Sequence, residues 1–519
     1  LGLASYLDFA VTSREAGSAK PNARESGLVE EVGRIQARYG FPKTSEAFQL
    51  AAEGEKNLSV FLNKHVFDVE LASPKQIAAV KAVDTLTNEV FVYRAKQFLD
   101  CTGDGWVGYF AKADFRFGRE SRDEFHESLA PETADSITMS GCLMGDRALS
   151  FRAADTGKPV QFIAPPWAPK MPPAEVFGRH IRSVAGGEWW LEHPGTIDDL
   201  WDAERARDEL IRISLGYWDF LKNGWADRQR SANHELVYIP IMDAKRETRR
   251  LMGDHILTQN DVEAATLFPD RVSYGGWPID VHHPKGIFSG DEGPFHTNAR
   301  TPLYSIPFRC LYSRNLDNLL FAGRDMSVTH IALGTVRVQG TLAAMGQAAG
   351  TAAALCVKKG TTPRGLYQQH IAELQRTLVK NDQYLPGMAN EDPNDLAKQA
   401  KLAASSVRTF DEFTRADIRK DDVHPPTTAR AMLFPRGVHD RLKTVSLLLL
   451  SENTEPTEVT IHLRGAADTG DVSSTRDLAT ATATVPPSGE RWVDFKMDCR
   501  VPDPYAWVVL PKTEGISWR

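Results

Sequence analysis

The chain has 519 residues, 42% of them hydrophobic and 25% charged, with a formal net charge of −7. That length exceeds one core and asks for two or three domains, and the negative balance argues against nucleic acid or an anionic membrane as partner. No apolar run reads as a membrane span, and five scattered cysteines without a C-x-x-C (Cys101, Cys142, Cys310, Cys356, Cys499) speak against a disulfide scaffold and a zinc site.

Residues 1–57 read as a loop followed by helices, with Gly27–Tyr39 amphipathic through Leu28, Val32 and Ile35. Val60–Leu71 is predicted as a strand, and Gln76–Val83 and Glu89–Tyr93 as a strand pair about the turn Leu86-Thr87-Asn88. Ala95–Gly105 is a strand running into a glycine-rich turn, where Thr102 and Asp104 can cap the next segment. Doubly wound proteins use such turns, at the carboxyl ends of strands, to present backbone N–H groups to a nucleotide.

Residues 113–316 form an aromatic- and proline-rich insertion, with PPWAPKMPP (165–173), EWWLE (188–192) and GYWDF (216–220). Ile197–Phe220 reads as a helix. Trp189 and Trp190 are candidates to stack on a sugar ring, although core aromatics are commoner. Arg246 and Arg250 share a face if Lys245–Asp254 is helical, either as a solvated surface or as a clamp for a carboxylate or phosphate. Tyr274–Pro284 is the best candidate for an active-site loop. Gly275 and Gly276 permit unusual backbone angles, Trp277-Pro278 is stiff, and Asp280, His282 and His283 gather titratable groups. Asp280 and His282 suit an orienting acid and a base, or equally a turn whose Asp bonds its own backbone.

Leu319–Ala322 is a short buried strand ended by Gly323, and the pattern becomes helical from about Gly334. Gly340, Ala343, Gly346 and Gly350 are small enough for that helix to approach a sheet or a planar ligand closely, and Lys358, Lys359 and Gly360 close it. Leu366–Leu378 is a further helix. After about residue 400, Val445–Leu450, Glu458–Leu463, Ala481–Val485, Arg491–Lys496 and Tyr505–Leu510 read as the strands of an all-β sandwich.

Six ordered blocks carry a resemblance: ARESGLVEE (23–31), DCTGDG (100–105), KRETRRLMGDHILTQND (245–261), YGGWPID (274–280), LYSIPFRCLYSRN (303–315) and AGRDMSVTHIALGTVRVQGTLAAMGQAAG (322–350). Over roughly residues 1–390 they resemble the bacterial FAD-dependent oxidoreductase family, flavoproteins with a two-dinucleotide-binding fold. The resemblance implies an α/β, doubly wound (Rossmann-like) FAD-binding domain from 1–112 and 317–390, interrupted by an α+β substrate domain at 113–316. A linker at 391–399 and the β-sandwich at 400–519 complete the chain. NDLAKQAKLAASS (394–406) resembles the opening of galactose-binding-like domains, which would make a glycan a partner of the sandwich. The strands 60–71, 96–101 and 318–322 are expected in one sheet.

By the same resemblance FAD is the cofactor. Val66 would meet the adenine by its backbone. Thr102, Gly103, Asp104, Gly105, Gly323, Arg324 and Asp325 would line the two turns. Gly334, Thr335, Val336 and Arg337 would face the flavin from a helix N-terminus. His330 is the candidate base, with His282 or His255 opposite. Arg246, Arg250, Trp277, Trp189 and Trp190 are candidates to bind a small-molecule substrate. The family opens with G-x-G-x-x-G, whereas this chain begins Leu1-Gly2-Leu3-Ala4-Ser5. A fragment lacking its first strand–helix–strand, and holding FAD poorly, is therefore expected. The iron–sulfur motifs of relatives in heterodisulfide reductases have no counterpart here. The expected reaction is hydride transfer between flavin and a small organic substrate, with tryptophan content favouring a sugar or polyol. The alternative is a non-catalytic glycan-binding accessory protein. A cytoplasmic and a periplasmic location both remain open.

Overall fold

The computed structural model describes residues 26–39, 44–145, 148–171, 179–401, 403–404, 429–436, 440–467, 471 and 474–518. The opening residues 1–25 and parts of the blocks 23–31, 165–173 and 394–406 lie outside them. Of the two compact units, the first ends at Asp392 and the second begins at Pro393.

In the first unit, α1 (Leu28–Tyr39) carries Glu30 and Glu31 in its first turn and Arg38 in its last, complementing the helix dipole. β1 (Lys64–Ser73), β2 (Gln76–Asp84) and β3 (Val90–Arg94) form an antiparallel meander. Its β2–β3 turn is built by Asp84, whose Oδ1 accepts from the N–H groups of Leu86 and Thr87, with Asn88 at φ 62°. β4 (Phe98–Asp100) leaves the meander and ends at the first glycine turn.

The insertion, residues 113–316, does not form a unit of its own but shares the main core of the first unit, and it departs from its sequence reading in three places. Its long helix runs Ala203–Asp219, starting later than Ile197, because Asp198 Oδ1 accepts from Leu200 and Trp201 N–H and makes a turn first. Lys245–Asp254 is not a helix. Arg250–Leu251 is a short strand paired with Phe115–Arg116, so the spacing of Arg246 and Arg250 does not put them on a helical face. Tyr274–Pro284 is strand–turn–strand rather than a loop. β5 (Arg271–Gly275) pairs with Tyr304–Pro307, and β6 (Ile279–His282) pairs with Phe295–Ala299. Gly275 is small because the Tyr304 ring packs on it, where a Cβ would collide with the phenol; neither it nor Gly276 adopts a positive φ.

β7 (Leu319–Phe321) lies parallel to β4, with Leu319 opposite Phe98 and Phe321 opposite Asp100. The expected third partner, the strand at 60–71, is not in this sheet. It begins at Lys64 and belongs to the meander. The Asn318 side chain joins the two, accepting from Ile77 N–H at 2.9 Å and donating to Ile77 O at 2.9 Å. The single helix expected from Gly334 is two. Thr329 caps α2 (His330–Val336) by accepting from Ala332 N–H, and Val338 is extended before α3 (Gln339–Lys359) starts. α3 is long and apolar enough to cross a membrane, contrary to the reading of the sequence, yet most of it is buried in the unit's main core. α4 (Pro363–Lys380) starts on a Thr362 cap with Pro363 at its first position.

In the second unit, β8 (Arg430–Pro435), β9 (Arg441–Ser451), β10 (Thr457–Ala466), β11 (Asp477–Val485), β12 (Gly489–Arg500), β13 (Tyr505–Leu510) and β14 (Ile516–Trp518) form two antiparallel sheets, β8-β13-β10-β11 and β12-β9-β14. Leu447, Leu449, Ile461, Leu463, Phe495 and Val508 fill the core between them, so the strands fit a β-sandwich.

Candidate functional site

The two glycine turns meet where β4 and β7 end. Asp100 Oδ1 accepts from the backbone and hydroxyl of Thr102 and Oδ2 from Gly108 N–H, which curls the first turn; Gly103 and Gly105 take φ 73° and 64°. Thr102 does cap, taking the Trp106 N–H at 3.1 Å. Asp104 does not. It binds Lys245 Nζ at 3.1 Å, the Thr248 hydroxyl at 3.0 Å, and Arg324 of the second turn. Burial works against ionisation of Asp104, but Arg324 and Lys245 outweigh it and hold the carboxyl below its usual range. A Cβ on Gly103 would collide with the Arg324 guanidinium, and one on Gly323 would sit 3.6 Å from Gly103 Cα. Asp325 is fully buried, and neither carboxylate oxygen has a hydrogen-bond partner among the described residues. Burial, then Asp100, push its pKa well above the carboxylate range. Val66 lies on β1 opposite Ala82, next to a break in register.

A buried charged web gathers most of the other candidates. His330 is the first residue of α2 rather than a loop residue. Its N–H donates to Glu120 Oε2 at 2.9 Å, and its Nδ1 lies 2.7 Å from Glu247 Oε2. Arg250 pairs with Glu120 at 2.8 Å and with Glu247 at 3.2 Å. Burial raises the cost of ionising Glu247, but His330 and Arg250 outweigh it and its pKa is lowered. His282 sits with Nδ1 2.6 Å from Glu192 Oε1 and Nε2 3.6 Å from Asp280 Oδ1. Arg246 reaches Glu192 at 2.9 Å, and Arg337 reaches Asp280 at 3.0 Å. The two halves are one web because the buried charge of Arg337 interacts with Asp280, Glu192 and Glu247 together. Trp189 packs edge-on to His282 at 5.4 Å, and the Trp277 carbonyl accepts from the hydroxyls of Thr301 and Thr335.

Some candidates fall elsewhere. His255 Nε2 lies 3.1 Å from Asp261 Oδ2, the acid of the capping box that starts Gln259–Glu263, and its ring packs on Phe268; it is a helix-start residue outside the web. Trp190 is 2% exposed and packs against Tyr217, so it is core and offers no face to a sugar. Gly334, Thr335 and Val336 end α2 instead of opening a helix. Gly334 packs against the Asp280 backbone and Thr335 bonds Tyr304 at 2.8 Å.

Reasoning from the sequence missed Glu120, Glu192 and Glu247, the acids that hold the web, because a lone glutamate carries no pattern. It also missed Arg249, which is 1% exposed and sits 4.4 Å from the Trp106 ring and 4.1 Å from the Tyr109 ring. Four basic residues within six, in an aromatic-rich insertion, were the available signal.

Compared with known proteins, residues 23–378 match the family model described as FAD dependent oxidoreductase. No curated protein and no solved structure matches the chain.

Proposed function

The chain belongs to the FAD dependent oxidoreductase family, and from that premise we propose that the charged web is the substrate face of its flavin site. It is an FAD-dependent enzyme. When bound, FAD supplies the two-electron chemistry by accepting a hydride. The residues at the glycine turns fit such a group. Gly103 and Gly105 hold the positive φ of the first turn, with Arg324 and Leu251 packed against them, and the buried Asp325 carboxyl, without a hydrogen-bond partner among the described residues, can accept from hydroxyls of the cofactor. Arg324 supplies positive charge beside them. Gly334, Thr335 and Val336 enter this reading only as packing that sets α2 against β6.

The substrate is a small alcohol, with a sugar or polyol as the finer reading. Its support is a lining of alternating arginines and carboxylates, which suits hydroxyl groups that both donate and accept. His330 is the proton acceptor. Glu247 fixes the ring by its bond to Nδ1, and Nε2 has no protein partner among the described residues, so an imidazole donating to Glu247 presents a bare Nε2 lone pair. Glu247 also stabilises the imidazolium that forms when the proton arrives, and Arg250 keeps Glu247 ionised. His282 has a carboxylate beside each ring nitrogen, so neither nitrogen is as open to a substrate as Nε2 of His330. Arg246 and Arg250, satisfied by internal acids, position the web, and Trp189 walls it.

The observation that carries this reading is the 2.7 Å His330–Glu247 pair at the start of the helix after β7. The test is anaerobic mixing of FAD-reconstituted protein with a panel of sugars and polyols. Bleaching by one of them, slowed about a hundredfold or more in His330→Ala, supports it. Bleaching at the parent rate in that variant removes His330 from the reaction.

A further inference from the structure

A second cluster, separate from the residues assigned to hydride transfer, lies in the insertion. His193, Asp199 and Asp243 bring one imidazole nitrogen and two carboxylate oxygens within 4.8 Å of one another. His193 is fully buried and Asp199 is 1% exposed. Among the described residues, His193 Nε2 and all four carboxylate oxygens are buried without a hydrogen-bond partner. Nε2 approaches Asp199 Oδ1 to 2.8 Å, the spacing of an ion pair. Neighbouring ligand atoms that share one small cation at about 2.1 Å must themselves lie about 3 Å apart.

The surroundings agree with a cation. His193 Nδ1 is 2.8 Å from the Pro194 carbonyl, so a ring donating there turns a bare Nε2 lone pair toward the two acids, the usual support of a metal-bound histidine. Asp243 lies directly over Gly141, where any Cβ would collide with its Oδ1, so the sequence keeps room for this carboxylate.

We propose that His193, Asp199 and Asp243 bind one divalent first-row cation of the class that takes mixed imidazole and carboxylate ligands, Mn2+, Fe2+ or Zn2+. The site is structural. It ties the loop His193–Asp199 to the short strand Met242–Asp243, and so fixes Glu192, next to His193, against Arg246, three residues after Asp243. Cysteine spacing, on which the expectation of no metal rested, does not report a site of this kind.

The experiment uses the whole chain. Elemental analysis of protein purified without chelator is expected to find about one such cation per chain. After chelator dialysis, Mn2+ or Zn2+ alone should raise the melting temperature, and Asp243→Asn should weaken that response at least about tenfold in metal concentration. Pulsed EPR of the wild-type chain loaded with Mn2+ should show coupling to one imidazole nitrogen, which decides the matter if the variant does not fold. A chain that carries no such cation and does not respond to Mn2+ or Zn2+, a response unchanged in Asp243→Asn, or bound Mn2+ without nitrogen coupling would each overturn the proposal.

Discussion

Glu247→Gln separates chemistry from architecture at the His330 pair. Glutamine keeps the shape, and one oxygen can still accept the Met139 N–H that Glu247 takes at 2.9 Å. The substitution removes the charge facing His330 at 2.7 Å and Arg250 at 3.2 Å, with no solvent exposure at Glu247 to screen it. A hydrogen bond to a charged group contributes about 1.5–3 kcal/mol, and about 1.4 kcal/mol corresponds to tenfold in rate. Without its anion the imidazolium that forms as the proton arrives loses its counter-charge. The limiting rate of flavin bleaching should fall about a hundredfold or more, in the range for an impaired general base. The assay is anaerobic stopped-flow over pH and substrate concentration, beside a thermal melt. A lower melting temperature with an unchanged limiting rate would refute the reasoning and leave Glu247 a purely structural acid.

Asp104, Glu192, Glu247 and Asp280 all have lowered pKa values, so at these four sites the folded chain binds fewer protons than the unfolded one. Their stabilisation is complete above the ordinary carboxylate range near about pH 4 and is lost as pH falls through the lowered values; melting temperature against pH should show that decline, and a flat profile down to about pH 2 would contradict it. Asp325 is the opposite case, raised by burial, so Asp325→Asn should increase the melting temperature of the FAD-free chain at neutral pH yet weaken FAD retention; tighter FAD binding would count against its proposed contact. Gly103→Ala must hold alanine at φ 73° against Arg324, costing about 1–2 kcal/mol, and should loosen FAD in a fluorescence titration. Ending the chain after Asp392 should leave flavin reduction intact if the sandwich takes no part in it, which bleaching of the shortened chain measures directly.

Where a local rule decided the conformation, the sequence was readable. The strand–glycine turns at 100–105 and 322–325 and the alternating strands of the second unit were seen because periodicity and glycine mark them. The break between α2 and α3 was not, because Val338 is apolar and continues the helical pattern, with no proline or glycine at the join. Arg246 and Arg250 mimicked a helical face by spacing alone, while two of their carboxylate partners, Glu192 and Glu120, lie far along the chain; Arg250 and Glu120 are 130 positions apart. Long-range ion pairs of this kind leave no local trace, so the web's two histidines were nameable and its acids were not.

The hub at Asp104 has a consequence for recombination. Lys245 and Thr248 belong to the insertion, while Asp104 and Arg324 belong to the two turns on either side of it. The insertion is therefore not an exchangeable cassette. A graft that replaces residues 113–316 without a lysine and a hydroxyl at these two places would leave Asp104 with one cation instead of two. Such a chimera would inherit new specificity on a loosened first turn, and restoring the pair should be the first step in repairing it.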